Sequence, residues 1–192
     1  IALSSGQLRD LTNTDTGFVL DKERHLTQFN QIPKINALQN IDVQMTLPEI
    51  NTVNFIRVNV LGMEPIATPD EGWPVVILQH GFTSRKEDML LLTANLALAG
   101  FASVGIDLPL YNSRGFDLNG DGNDNINASS VSPTHFLNLG NLPVTRDNLR
   151  QSAADMLGLR FALNFTQGAE LDTSKVYILG LSLGAMTSSP FL

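Results

Sequence analysis

Hydrophobic and polar positions follow different rhythms along the chain, and each rhythm predicts a different element. From Ile41 to Leu47 every second residue is apolar (Ile41, Val43, Met45, Leu47), with Asp42, Gln44 and Thr46 opposite, as in a strand with one buried face. Pro48 ends it. A second run, 54–60, carries Phe55, Val58 and Val60 and is expected to form an antiparallel pair with the first at the entry to the sheet. The runs Trp73 to Gln79 and Phe101 to Ile106 are instead continuously apolar, as in strands buried on both faces of a parallel sheet. Between them Lys86 to Ala99 reads as a helix, with Ser84 placed to cap it, Glu87 three residues on and Gly100 closing it. Strand, helix, strand in that order is a βαβ unit with a right-handed crossover.

Other stretches are less regular. Residues 1–40 are weakly patterned, with Asn13 to Gly17 as a turn, Phe18-Val19-Leu20 as a short strand and His25 solvated among Asp21, Lys22, Glu23 and Arg24. Residues 111–144 form a polar excursion rich in Asn, Asp, Gly and Ser, and a structureless loop of that length usually serves function. After it Thr145 is placed to cap a long helix in which Leu149, Ala153, Met156, Leu157 and Leu163 keep helical spacing to about Phe165. Gly168 ends that helix, and Asp172 to Lys175 turns the chain into the next strand. The uncharged stretch Met89 to Ile106 is long enough to raise a membrane span. Asn95, Gly100, Ser103 and Gly105 interrupt it, and helix followed by strand accounts for it better.

That next strand leads into the most informative stretch, Val176-Tyr177-Ile178-Leu179-Gly180-Leu181-Ser182-Leu183-Gly184-Ala185-Met186. A β-branched and aromatic run enters Gly-x-Ser-x-Gly, and helix-forming residues follow, the context of a nucleophile elbow. The turn strains the serine backbone, and side chains two residues either side would strike neighbouring backbone, which glycine at 180 and 184 avoids. Ser182 is the candidate nucleophile. The backbone N–H groups of Leu183, at the start of the following helix, and of Phe82, in the loop His80-Gly81-Phe82 after the first buried strand, are the candidate oxyanion-hole donors. His80 belongs to that loop and precedes the serine, so its side chain is expected to be structural rather than the general base. His135 is expected to be a surface or packing residue.

Composition narrows the partners. With 192 residues, 43% hydrophobic and 16% charged, the chain can bury a sizeable core. A net charge of −7 without a Lys/Arg cluster argues against nucleic acid, and the lack of cysteine excludes disulfides, thiol catalysis and cysteine-bound metal. No basic and apolar leader opens the chain at Ile1, so a processed or truncated product is expected. The loop from Asp117 to Asn125 sets Asp117, Asn119, Asp121 and Asn125 at positions 1, 3, 5 and 9 with Gly122 at position 6, as calcium loops do. Position 12, where a bidentate glutamate belongs, is Ala128, and Asp-Gly and Asn-Gly also make ordinary turns, so calcium and a solvated turn both stand.

With the apolar strand before His80-Gly81-Phe82, the βαβ unit and the elbow, the chain resembles the N-terminal half of an α/β-hydrolase. More narrowly, Gln79-His80-Gly81-Phe82 and Gly180-Leu181-Ser182-Leu183-Gly184-Ala185-Met186-Thr187 are similar to those of extracellular virulence-factor lipases of Gram-negative bacteria, a group that includes surface lysophospholipases. The resemblance covers 73–192 well and 1–72 loosely. It implies an α/β fold with a mostly parallel sheet, helices on both faces and an antiparallel N-terminal strand pair, residues 41–192 being the first part of the domain. It also implies export to the cell surface or beyond, no required cofactor, and hydrolysis of lipid esters with contact to a membrane surface through the substrate. A peptide or a small ester remains an alternative substrate.

One departure matters. In that fold the acid and histidine follow the serine, and residues 183–192 contain neither. The expectation is therefore an N-terminal fragment, nearly inactive alone, whose elbow strand exposes an apolar edge to a second copy or a complementing C-terminal fragment. The reading from another class is a non-catalytic, calcium-dependent surface or interaction module on the same scaffold.

Overall fold

The structure, a computed structural model, describes residues 2–3, 35–37, 39–117, 120–168 and 170–189. The turn read at 13–17, the strand at 18–20 and His25 lie outside the described residues. Near the N-terminus β1 (Ala2–Leu3) and β2 (Ile35–Ala37) pair antiparallel as a sheet of their own. The alternating run yields β3 (Val43–Thr46).

The run at 54–60 is not a strand. Residues 54–59 lie in α1 (Ile50–Asn59) and Val60 caps its C-terminus, so the expected N-terminal strand pair does not form. Two causes are visible. The Glu49 carboxylate accepts the N–H groups of Asn51 and Thr52 at 3.1 and 2.7 Å, capping the first turn. Tertiary contacts then hold the helix: the Asn54 side chain bonds both the N–H and the carbonyl of Ile66, and Arg57 donates to the carbonyls of Glu64 and Leu98. The step from Phe55 to Val58 is three residues, a helical interval inside what looked like alternation.

The continuous apolar runs become β4 (Trp73–Gln79) and β5 (Ala102–Ile106), parallel and in register with Ile77 beside Val104. β3 pairs antiparallel with β5, Met45 opposite Val104, and so takes the place on the sheet expected of a hairpin. A 3₁₀ turn over Lys86–Met89 leads into α2 (Leu90–Leu98). The capping carboxylate there is Asp88, not Glu87: it accepts the Arg85 N–H at 3.1 Å and the Ser84 hydroxyl at 2.7 Å. α3 (Leu142–Ala162) starts three residues before Thr145, because Pro143 sits in its first turn, where a missing N–H costs nothing. Last come β6 (Leu171–Gly180) and α4 (Leu183–Ser188). The turn read at Asp172–Lys175 is a bulge within β6: Asp172 lies beside Pro74 and Val176 beside Val75, which leaves 173–175 looped out.

The sheet order is β3-β5-β4-β6, with β4, β5 and β6 parallel. Val75 and Ile77 join Ala102, Val104 and Ile106 against Met156, Leu159 and Leu163 at the α3 end, whereas Val76 and Leu78 face Met89, Leu92 and Leu96 around α2. The architecture is thus a mixed α/β sheet, mostly parallel, with helices on both faces. The stretch Met89–Ile106 divides into α2 and β5, and among the described residues no helix is long and apolar enough to cross a membrane.

The excursion 111–144 is more ordered than its composition suggests. Phe116 bridges to Ile126, 3₁₀ turns span Asn112–Arg114 and Pro133–His135, and Tyr111, Ala128 and Phe136 are fully buried against Leu108 and Leu183. Arg114 and Asp155, both buried, pair at 2.7 Å and tie this layer to α3.

Candidate active site

In parallel α/β sheets, ligand sites lie outside the carboxyl ends of the strands. All four described non-glycine residues with positive φ fall there: Thr83 (58°) after β4, Leu110 (67°) and Asn112 (38°) after β5, and Ser182 (51°) after β6. Such backbone is unfavourable for residues with a Cβ, and it persists where surrounding structure enforces it, commonly at functional sites.

Ser182 occupies the single sharp step between β6 and α4, at φ 51° and ψ −114°, and is exposed. The glycines do what the spacing demands. A Cβ on Gly180 would stand 2.5 Å from the backbone of Gly184 and Ala185; one on Gly184 would strike the carbonyl oxygens of Gln79 and His80. The Leu181 N–H donates to the Gln79 carbonyl at 3.0 Å, so the elbow is bonded to the end of β4. A Cβ on Gly81 would lie 3.4 Å from Cβ of Ser182, which puts the Gly81–Phe82 peptide against the serine. The two loops expected to meet therefore do. Among the described residues neither the Phe82 nor the Leu183 N–H donates a hydrogen bond, so both remain available to an incoming oxygen.

His80 is fully buried and structural, as its place in the loop implies. Its Nε2 accepts the Leu108 N–H at 2.9 Å, which leaves the proton on Nδ1 to donate to the Gly81 carbonyl, also at 2.9 Å. Burial pushes its pKa below the usual imidazole value, outweighing the Gly81 bond and the field of Asp107, so the neutral ring is the native form. The consequence is directional. In a trans peptide the carbonyl and the following N–H point opposite ways, so gripping the Gly81 carbonyl aims the Phe82 N–H.

Behind the loop stands a charged hub that the sequence did not disclose. Asp107, fully buried at the end of β5, accepts the Lys86 N–H at 2.8 Å, Lys86 Nζ at 2.7 Å, the Ser113 hydroxyl at 2.7 Å and Asn112 Nδ2 at 3.1 Å. Burial raises its pKa, yet hydrogen bonds from Lys86, Ser113 and Asn112 outweigh that and hold it below the usual carboxylate value. Desolvation likewise works against the Lys86 charge, and its bonds to Asp107 and Glu87 prevail. The one local signal was a carboxylate directly after a buried strand; its partner lies 21 positions away.

His135 is partly buried, edge-on to Phe116 at 5.3 Å, in the layer formed by 111–144. Burial lowers its pKa. In the Asp117–Asn125 loop, Asn119 lies outside the described residues. The Asp117 carboxylate accepts the N–H groups of Gly120, Asp121 and Gly122, and Asp121 accepts that of Asn123. Asn125 is exposed, and Ala128, at the twelfth position, is sealed in the core beside Tyr111. Among the described residues no three His, Cys, Asp or Glu side chains gather closely enough to hold a metal ion.

A scan of the chain against protein-family models finds no match, and a search of curated proteins finds none either.

Proposed function

We propose that the chain is the nucleophile-bearing part of a serine carboxylic-ester hydrolase of the α/β-hydrolase type. The observation that carries this is the exposed Ser182 at positive φ between a parallel strand and a helix, with Gly81 packed against it and, among the described residues, the N–H groups of Leu183 and Phe82 unengaged. Ser182 Oγ would attack the acyl carbon, its proton passing to a histidine base, while the carbonyl oxygen gains charge between the two donors. Collapse of that intermediate would expel the alcohol and leave an acyl-serine for water to cleave. The acid and histidine are expected after residue 192, in keeping with their order in this fold. Lipid esters are the substrate class favoured by the likeness of 79–82 and 180–187 to secreted lipases, and contact with a membrane surface would come through them.

The test is hydrolysis of p-nitrophenyl esters of graded chain length by the full-length polypeptide that carries this sequence. Ser182→Ala should lower kcat roughly 10⁴-fold or more without unfolding the protein; retained activity refutes the assignment.

The sheet supports a further part of the proposal. Among the described residues β6 is its outer strand, with Tyr177 and Leu179 exposed. Unpaired apolar edges invite another strand, here a second copy of the chain or the following part of the polypeptide. Light scattering of residues 1–192 at high concentration should show a dimer; a strict monomer that also ignores an added C-terminal fragment contradicts the pairing.

A further inference from the structure

Tyr111 is a fully buried side chain, and its position is unusual. Its ring meets His80 edge-on at 5.0 Å and Phe136 at 5.2 Å, and it packs in one cluster with Leu183. One side chain thus meets the ring that aims the Phe82 N–H and shares a core cluster with Leu183, the residue proposed to supply the other donor. The backbone that delivers it is strained on both sides, at Leu110 and Asn112. Asn112 is held there by its side-chain bonds to Glu87 and Asp107 and by the bond from its N–H to Ser129, each at 3.1 Å.

The hydroxyl is the second observation. Among the described residues it has no partner of hydrogen-bond geometry, although the Thr83 N–H lies near enough to favour negative charge on it. Its own proton therefore has no acceptor. A buried polar group without partners is costly, and phenylalanine would fill the same space without it. Burial also pushes the phenol up to about 12, so it stays protonated and is no base.

We propose that Tyr111 is a positioning residue of the oxyanion hole, its phenol standing between the Phe82–Thr83 turn and Leu183 and its hydroxyl taking the Thr83 N–H as charge develops on the substrate. Phe82 and Thr83 are exposed, so the turn has room for the small shift that completes this bond, and site hydrogen bonds commonly tighten in the transition state. Closing it holds the Phe82 N–H on the reacting oxygen. The inference rests on the hydrolase reading.

The experiment uses the full-length polypeptide with a p-nitrophenyl ester, comparing Tyr111→Phe with wild type and with Ser182→Ala. Tyr111→Phe should lower kcat about tenfold, less than loss of a whole donor, with KM within about twofold and an equal or higher melting temperature. A merely structural tyrosine would not lose rate while keeping stability. The inference is overturned if kcat stays within about twofold of wild type, or if the loss appears in KM or tracks a lower melting temperature. Tyr111→Leu, which also removes the ring, should lose more rate; if it does not fold, Tyr111→Phe decides alone. Activity that survives Ser182→Ala would instead sink the hydrolase reading, so the two failures are distinguishable.

Discussion

Two glycine-bearing segments of this chain resemble one another in composition and differ in what glycine does for them. At the elbow, Gly180 and Gly184 are required for space: a Cβ at either would meet backbone atoms that cannot move away. In the 117–125 loop, Gly120 and Gly122 have nothing within 4 Å of where a Cβ would be, and glycine serves only their positive φ of 73° and 83°. The first segment is clamped between β4 and β6, with its loops on the buried His80 and the Asp107 hub; the second closes on itself through Asp117. Crowding of backbone on backbone marks the place where geometry is being enforced, and glycine content alone does not.

The largest effect that follows is at the elbow. Gly184→Ala should cost about 3 kcal/mol or more, since the new methyl runs into two carbonyl oxygens of adjacent residues. Chemical denaturation measures it, and a cost below about 1 kcal/mol would erase the contrast. Gly120→Ala, where only conformation is at stake, should cost about 1 kcal/mol by the same method.

Acid should also weaken the first region. His80 is held neutral and its pKa is lowered by burial, so the unfolded chain takes up a proton first as pH falls. Its contribution is fully present above the ordinary imidazole value of about 6.5 and is lost as pH drops below that value toward the folded pKa. His135, shifted in the same direction, adds to this. Denaturant midpoints should therefore decline between pH 8 and pH 5, and His80→Gln should flatten the decline; an unchanged slope would remove His80 as its source.

The smallest effect is expected from calcium on the second region. Asp117 already spends lone pairs on three N–H groups and the twelfth position is a buried alanine. Melting in calcium and in chelator should coincide. Stabilisation of about 2.7 kcal/mol at a hundred times Kd would show instead that the loop takes the ion.

Local chemistry determined a good deal of this protein. Continuous apolar runs sufficed for β4 and β5 because a strand buried on both faces needs no information from elsewhere. Gly180-x-Ser182-x-Gly184 announced the elbow because the Gly180 clash, against Gly184 and Ala185, arises within one turn, while the clash at Gly184 is with the end of β4. The segment 54–60 shows the limit: its pattern suited a strand, and the Glu49 cap with the grips of Asn54 on Ile66 and Arg57 on Leu98 made it α1. Tertiary structure realised the expected meeting of Gly81 with Ser182, and it alone decided the burial of Lys86 against Asp107 and the wedge of Tyr111 beside His80. Each joins residues far apart in sequence, and the free energy of such contacts exists only once the sheet has brought three strand ends together.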